Sequence, residues 1–215
     1  IKNTSPKAFV ICITNPLDVI VMALQKYSGL PKNKVVGMAG ILDSSRFIYF
    51  LSEKLNVKVD DIKSFVLGGH GDTMVAMLNH TNVQGEPILN LVKSGKLSQE
   101  DLNKIIERTK KGGAEIVKYL EKGSAFYAPA SAGVEMAECY LKDIKKEIPC
   151  AAYLDGEYGV KGIYAGVPVI VGKNGIEKVI EIKLSSEEKS QFDKSINAVK
   201  DLFDAAKKID NSLKD

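Results

Sequence analysis

The pattern of apolar and polar positions changes along the chain, and each part predicts a different kind of element. Ala8 to Ile13 is an unbroken apolar run, which is typical of a parallel strand buried on both faces. A helical stretch from Asn15 to Gly29 follows, with Asn and Pro at its start and Gly at its end. Lys34 to Met38 predicts a second strand. Strand, helix and strand in this order form a βαβ unit, so the opening segment is expected to lie in a parallel α/β sheet.

The rest of the chain mixes helical periodicity with short apolar runs between turn residues. The longest predicted helix contains Gly112 and Gly113, which indicate a kink or close packing. A parallel unit followed by mixed α and β elements is what remains when a dinucleotide-binding domain loses its first half and keeps its substrate domain. The predicted helices are Asp43 to Leu55, Ser98 to Leu120, one after Pro129 that reaches Leu141, and one that begins with a capping box at Ser185 and Glu188; the predicted strands are Phe65 to Leu67, Thr73 to Val83, Ile148 to Leu154, Ile163 to Val171 and Val179 to Ile182.

Composition and charge argue against several classes of protein. The net charge of +3 is small for 215 residues, and lysine alternates with acidic residues along the helices, so no nucleic-acid partner is expected. Three scattered cysteines and two histidines argue against a disulfide scaffold and a zinc site, so we expect no metal and a cytoplasmic location. No apolar run reaches membrane-spanning length and no signal peptide is visible, so no membrane partner is expected. The chain begins at Ile1 rather than Met, and we therefore expect a fragment or an incomplete chain.

One histidine has a sequence context that suits acid–base chemistry. His70 follows a predicted strand and has glycines on both sides, in Gly68-Gly69-His70-Gly71. Glycines let the backbone turn sharply and let a ligand approach closely, and imidazole titrates near neutral pH. A catalytic role and a structural or exposed-loop role are about equally compatible with this local sequence. His80 has no glycine context, and we interpret it as a surface or strand residue.

Three further polar residues could accompany His70. Asp43 and Arg46 are three apart at the start of a predicted helix, so they share a face, where a carboxylate can orient an imidazole and a guanidinium can clamp a carboxylate. A helix-capping aspartate paired with a surface arginine explains the same spacing. Asn15 ends the first strand, where open α/β sheets bind ligands, but it also suits a plain helix N-cap. Taken alone, each of these residues is explained more simply by its structural role.

The combination of motifs is more specific than any single residue. The chain contains, in this order, ITNPLD at 13–18, GILDSSRF at 40–47, GGHGDTMV at 68–75, GSAFYAPA at 123–130, CAAYLDGEYGV at 150–160 and GVPVIVGKNGIEKVIEI at 166–182. This series resembles the malate/lactate dehydrogenase family over essentially the whole chain, and GHGD after LDSxR is its specific part. The sequence looks closest to the lactate-dehydrogenase-like malate dehydrogenases of bacteria.

The resemblance implies an NAD-dependent reaction that interconverts a 2-hydroxyacid and a 2-oxoacid. His70 would pass the proton to or from the substrate oxygen, and Asp43 would orient its ring and stabilise the charged form. Arg46 would bind the substrate carboxylate in bidentate fashion, and Asn15 would hydrogen-bond the substrate oxygen. The family pattern also suggests a cis Asn15-Pro16 bond. The residues expected beside the cofactor are Ile13, Thr14 and Asn15 at the nicotinamide ribose, and Met38 and Pro129 against the nicotinamide ring.

The same resemblance implies two domains. Residues 1–37 would be the carboxy-terminal remnant of an NAD-binding Rossmann sheet, and residues 38–215 would form a substrate-binding and catalytic α+β domain. The fingerprint G-x-G-x-x-G does not occur in the sequence. In the family it precedes the position of Ile1, as does a loop in which arginine favours oxaloacetate and glutamine favours pyruvate. GGHGDTMV favours malate, so the expected reaction converts malate and NAD to oxaloacetate and NADH.

Two alternatives remain open from the sequence. One is an L-lactate dehydrogenase, which acts on pyruvate and lactate. The other is an inactive interaction or oligomerisation module, if the native chain truly starts at Ile1; the segment alone is expected to be inactive. The resemblance implies a homodimer or homotetramer, with the predicted helix from Asp43 to Leu55 as a candidate interface element.

Overall fold

The structure, a computed structural model, describes residues 1–214 as strands and α-helices joined by short 3₁₀ turns. Within these residues, no helix combines the length and the apolar composition needed to cross a bilayer. The strands are β1 Val10–Cys12, β2 Val35–Gly37, β3 Ile62–Lys63, β4 Val66–Leu67, β5 Val75–Ala76, β6 Asn82–Val83, β7 Glu86–Pro87, β8 Lys146–Asp155, β9 Lys161–Gly172 and β10 Gly175–Val179. The helices are α1 Leu17–Ser28, α2 Gly40–Leu55, α3 Ile88–Lys93, α4 Gln99–Leu120, α5 Tyr127–Leu141 and α6 Ser186–Ile209.

The largest sheet joins the opening segment to the end of the chain. Its strand order is β1-β2-β8-β9-β10; β1 and β2 are parallel, and the remaining neighbours are antiparallel. The two parts meet at the pair Gly37–Ala151. A Cβ atom on Gly37 would lie 3.0 Å from that of Ala151, so the glycine permits this approach. The predicted fold class, a parallel βαβ unit followed by mixed α and β elements, is confirmed.

Two small antiparallel sheets are formed by the part of the chain between β2 and β8. The first has the order β3-β6-β7, and the second pairs β4 with β5. The backbone of Gly68, directly after β4, pairs with Gly166 of β9 in both directions, at 2.8 Å and 2.9 Å. The end of β4 is therefore fixed to the middle of the large sheet.

The ends of the long helices follow local sequence signals. The Ser98 hydroxyl caps α4, and Ser185 and Glu188 form the predicted capping box at the start of α6. Helix α1 stops at Gly29, whose positive φ of 62° places it in the left-handed region. Helices α2 and α5 begin a few residues earlier than predicted.

Two strand predictions were wrong in their extent. The segment from Thr73 to Val83 holds only the short strands β5 and β6, because a 3₁₀ turn at Leu78–His80 separates them. In that turn the Thr81 hydroxyl donates a hydrogen bond to the Met77 carbonyl at 2.8 Å, which competes with strand pairing. The last strand ends at Val179 rather than beginning there, because the turn at residues 173–174 folds β10 directly back onto β9.

Helix α2 separates two apolar cores. One core surrounds the large sheet and includes Leu42, whereas the other lies among α2, α3 and α4 and includes Phe47 and Leu51. Asp43 and Arg46 belong to the same helix, between these two contact regions. The helix that carries both candidate residues is thus held from two sides by apolar packing.

Candidate active site

The loop that carries His70 needs glycine for two separate reasons. Gly68 has a φ of 91°, which L side chains rarely adopt, and a Cβ atom there would lie 2.5 Å from the Ser195 hydroxyl. Its partner Gly166 is equally confined, because a Cβ atom would lie 2.6 Å from the Gly68 carbonyl oxygen. The GGHG sequence therefore places the His70 backbone tightly against β9 and α6.

His70 is held through both its main chain and its ring. Its backbone N–H donates to Asp18 Oδ2 at 2.8 Å, and the preceding Gly69 N–H donates to Ser195 Oγ at 2.8 Å. Ring atom Nδ1 lies 2.8 Å from Asp43 Oδ2. Within residues 1–214, Nε2 has no hydrogen-bond partner, and His70 lines an open cleft. The arrangement orients the ring and leaves one nitrogen free to exchange a proton.

The pKa of His70 lies above its ordinary value. Burial is the largest single influence and lowers this pKa, but the hydrogen bond and charge of Asp43 and the charge of Asp18 together outweigh it; Arg46 opposes them. The imidazolium is therefore stabilised in a site that is largely shielded from water. A group with this behaviour can hold a proton near neutral pH and release it to a reacting oxygen.

Arg46 lies beside the same carboxylate. Its Nη1 is 3.6 Å from Asp43 Oδ1, and its buried Nε has no hydrogen-bond partner within the described residues. Burial is the main reason that the pKa of Arg46 is lowered, while Asp43 acts in the opposite direction. Gly112 of α4 packs against the side chain, since a Cβ atom there would lie 3.0 Å from Arg46 Cδ. The guanidinium is fixed in position with donor capacity left over, which suits a carboxylate ligand.

These residues face one cleft of about 680 Å³. Seven of the eight predicted site residues line it, and the eighth, Asp43, is buried behind His70 with 2% of its side chain exposed. The lining consists of Ile13, Thr14, Asn15, Met38, Leu42, Arg46, His70, Gly113, Ala114, Val117, Ser124, Ala125, Phe126, Pro129 and Ala130.

The carboxyl ends of the two parallel strands form one wall of the cleft. Asn15 follows β1, and its peptide bond to Pro16 is cis, as predicted. Met38 follows β2, and its N–H donates to the Cys12 carbonyl at 2.8 Å. Ile13 is 43% exposed although it directly follows β1, whose residues are buried or partly buried. This wall offers an apolar surface next to one amide side chain, which suits a flat, partly apolar ring.

A second cleft, of about 880 Å³, is larger but contains none of the predicted residues. It runs between α4 and α6 and is lined by polar side chains of those helices and by other residues that include 72–76. Size alone does not identify the site; the cleft at His70 is distinguished by a buried acid–base pair and a fixed arginine.

The sequence analysis did not single out some residues that hold the His70 loop or line the cleft. Asp18 and Ser195 hold the His70 loop from α1 and α6. Asp18 is the last residue of the ITNPLD motif, but its local sequence indicates only an acid in the first turn of a helix. Val117 and the segment from Ser124 to Phe126 also line the cleft. His80 is separate from the site, and its Nε2 lies 2.7 Å from the Lys183 carbonyl oxygen.

Comparison with known proteins identifies a family and several similar proteins. Residues 41–209 match the family model for the lactate/malate dehydrogenase alpha/beta C-terminal domain. The malate dehydrogenase of Pelagibacter ubique is 66% identical over 213 residues, which are 99% of this chain and 67% of that protein. The chain thus spans about two thirds of the length of such relatives.

Solved structures of both substrate types are similar to the chain. The malate dehydrogenase of Cryptosporidium parvum has a TM-score of 0.94 at 47% identity, over 96% of this chain and 66% of that one. The lactate dehydrogenase of the same organism, complexed with lactic acid and nicotinamide adenine dinucleotide, has a TM-score of 0.93 at 48% identity, over 95% of this chain and 64% of that one.

Proposed function

The chain belongs to the lactate/malate dehydrogenase family, and from this membership we propose that the protein is an NAD-dependent malate dehydrogenase, which interconverts malate and oxaloacetate. The observation that carries the proposal is the His70–Asp43 pair, with its 2.8 Å contact, beside Arg46 in one cleft. Curated relatives at 56–66% identity are named malate dehydrogenases, which supports malate over lactate. An L-lactate dehydrogenase is the second candidate, because similar solved structures include that enzyme.

His70 is proposed to move the proton of the reaction. In the direction of reduction, the protonated ring donates to the ketone oxygen of the substrate, and in oxidation the neutral ring accepts the hydroxyl proton. Asp43 keeps the proton on Nδ1 and stabilises the imidazolium, so that Nε2 is the atom that exchanges with substrate. A positioned general acid of this kind contributes about 10²–10⁴ in rate.

Arg46 and Asn15 are proposed to orient the substrate. The Arg46 guanidinium has free donors and a fixed side chain, so it can bind a substrate carboxylate with two parallel hydrogen bonds. The Asn15 amide lies on the same cleft and can hydrogen-bond the reacting oxygen. Two such contacts present one face of the carbonyl and limit its rotation, which is positioning catalysis.

The wall formed by Ile13, Thr14, Met38 and Pro129 is proposed to receive the nicotinamide end of NAD. The exposed Ile13 and the nearby apolar side chains suit such a ring. When bound, NAD accepts or supplies the hydride at the substrate carbon. The contribution of this wall is to hold the ring next to the substrate and to exclude water from it.

Domain organisation, assembly and location follow as parts of the same proposal. Residues 1–37 would belong to the dinucleotide-binding domain, and residues 38–215 to the substrate-binding domain, in keeping with a family match that begins at residue 41. The protein would act in the cytoplasm as a homodimer or homotetramer. Size-exclusion chromatography with light scattering measures the assembly.

The test compares His70→Asn with His80→Asn in the full-length protein, because the segment alone is expected to be inactive. Asparagine keeps the polarity of position 70 but cannot carry the proton, so oxidoreductase turnover should fall by about 10²–10⁴. His80 contacts only Lys183 at a distance from the cleft, so its variant should retain full turnover. Activity that survives in His70→Asn would refute the role of His70.

Assays with NADH and either oxaloacetate or pyruvate identify the substrate, and a higher kcat/KM for pyruvate would favour the second candidate.

A further inference from the structure

A buried carboxylate outside the predicted site reaches the main chain of His70. Asp18 is the second residue of α1 and is 5% exposed. Its Oδ2 accepts the His70 N–H at 2.8 Å, while its Oδ1 is buried without a hydrogen-bond partner within residues 1–214. Burying a carboxylate with only one of its two oxygens hydrogen-bonded is costly. The fold nevertheless keeps Asp18 next to the loop that contains His70.

The surroundings of Asp18 contain few other charges. The charged groups close enough to influence it are His70 itself and Asp43, and those that influence His70 are Asp43, Asp18 and Arg46. From α6 the loop receives the uncharged Ser195 and the apolar Val199, which lies 2.6 Å from where a Cβ atom on Gly69 would be. The charge of Asp18 therefore interacts mainly with His70 and Asp43.

We propose that Asp18 is a positioning residue for His70, which fixes its main chain and, together with Asp43, stabilises its protonated ring. The inference rests on the proposed function, in which His70 carries the proton. Two carboxylates then act on one imidazole in different ways: Asp43 contacts the ring, whereas Asp18 acts on the backbone and through its charge. Neither contact requires Asp18 to touch substrate or cofactor.

A matched pair of variants separates charge from loop anchoring. Asp18→Asn keeps an oxygen that can accept the His70 N–H but removes the charge. Ser195→Ala removes the neighbouring hydrogen bond to Gly69 without changing any charge. If Asp18 stabilises the imidazolium, Asp18→Asn lowers the pKa of His70 and Ser195→Ala changes it less.

The measurement is an NMR titration of the two histidine rings. The chain contains only His70 and His80, so each ring is assigned by the loss of its signal in the His→Asn variants. We expect the His70 midpoint to move to lower pH in Asp18→Asn, by more than in Ser195→Ala, with the His80 midpoint unchanged. An unmoved His70 midpoint, or an equal shift in both variants, would overturn the inference.

The wild-type backbone provides a second readout, which does not depend on the folding of any variant. Burial raises the pKa of Asp18 to about 6, despite the opposing His70 hydrogen bond. The His70 amide proton, bonded to that carboxylate, should follow this protonation in addition to that of the ring. The Gly69 amide, bonded to a hydroxyl, should follow it much less. Equal responses of the two amides would contradict the contact.

Kinetics distinguish failure of this inference from failure of the proposed function. Reduction of the 2-oxoacid needs protonated His70, so kcat/KM is lost as pH rises through its pKa. Asp18→Asn should move that loss to lower pH, whereas a merely structural defect would lower kcat/KM at all pH values. An unmoved profile in Asp18→Asn, with inactive His70→Asn, would reject the role of Asp18 alone. Active His70→Asn would reject the proposed function instead.

Discussion

Three charged residues around His70, namely Asp18, Asp43 and Arg46, each have one buried polar atom without a hydrogen-bond partner within residues 1–214. Folding alone gives no reason to retain such atoms, because unsatisfied buried groups destabilise the native state. The Arg46 Nε suits a ligand that supplies an acceptor, and the two carboxylates act on His70. Under the proposed function, the protein retains these groups for catalysis although they lower its stability.

Comparison of Asp18→Asn with the wild type should show the cost of burying Asp18 as a dependence of the free energy of unfolding on pH. Burial raises the pKa of Asp18 from 3.8 to about 6, so the folded wild type holds a proton that the unfolded chain has already released. Wild-type stability should fall as pH rises from 4 towards 7, by about 1–3 kcal/mol from this group. The asparagine variant avoids that loss, so its advantage in urea unfolding should grow over this interval.

An exposed carboxylate supplies the control for that experiment. Asp60 lies on the surface, so Asp60→Asn should show a difference from wild type that is nearly constant with pH. An advantage of Asp18→Asn that does not depend on pH would contradict the burial of an ionised Asp18.

Arg46→Lys should raise the KM for the 2-oxoacid about 10- to 100-fold. Lysine keeps the charge but replaces a planar fork by a single point of contact, and a charged hydrogen bond contributes about 1.5–3 kcal/mol. Arg108→Lys is the matched control, because Arg108 pairs with Glu115 on the surface, at 2.8 Å and 3.0 Å, outside the cleft. An unchanged KM in Arg46→Lys would argue against carboxylate binding by Arg46.

At this scale, the candidate residues that the sequence singled out lie in short local motifs, whereas the residues that hold them do not. The structure places His70, Arg46 and Asn15 on one cleft, with Asp43 behind His70. The contact between Asp18 and His70 joins residues 52 positions apart, and that between Gly69 and Ser195 spans 126 positions. No local pattern of residues encodes a separation of that length.

Among the elements, α4 shows how a glycine pair can serve two purposes. The sequence indicated a kink or close packing at Gly112 and Gly113, and the structure has an unbroken helix with close packing. A Cβ atom at Gly112 would lie 3.0 Å from Arg46 Cδ, whereas one at Gly113 would come no nearer than 3.7 Å to the guanidinium. Gly112 therefore packs closely against the Arg46 side chain, whereas Gly113 leaves more room beside it.

Alanine at these two positions should give results of different size. Gly112→Ala should displace the Arg46 side chain and raise the KM for the 2-oxoacid. Gly113 lines the cleft, but its Cβ atom would have room beside the guanidinium, so Gly113→Ala should raise the KM by less and stabilise the helix by about 0.5–1 kcal/mol, because alanine favours helix more than glycine does. Steady-state kinetics and thermal unfolding of both variants measure this. Equal KM values in the two variants would show that packing on Arg46 does not position it.

Elements with strong end signals were predictable, and short ones were not. Ser98 and the capping box at Ser185 located two helix starts correctly. The strands between residues 73 and 83 were overextended, because a 3₁₀ turn and a side-chain hydrogen bond from Thr81 interrupt them. Strands of two residues lack enough positions to establish an alternating pattern.

At the scale of the whole molecule, α2 packs against both apolar cores and carries Asp43 and Arg46 between them. Phe47, the next residue after Arg46, is fully buried in the second core. The placement of the site therefore depends on packing that does not touch the cleft. The sequence predicted the helix but not this division, because the two cores are formed by residues distant along the chain.

Phe47→Ala should lower the free energy of unfolding by about 3–5 kcal/mol, since it leaves a cavity in the second core. Tyr49→Ala is the control on the same helix, because Tyr49 is 50% exposed and contacts Glu53 on the surface; it should cost well under half as much. Urea unfolding measures both. A small loss in Phe47→Ala would mean that α2 is held by the large sheet alone.

The pairing of Gly68 with Gly166 has a consequence for how the gene tolerates mutation. Neither residue has a functional group, yet a Cβ atom at either would lie 2.5–2.6 Å from a neighbouring oxygen atom. Every single-nucleotide change that alters either codon's amino acid adds such an atom. In a library of all single substitutions selected for enzyme activity, these two glycines should tolerate as few replacements as His70 does. A map of mutational tolerance would therefore mark the backbone that supports the site as well as the side chains that form it.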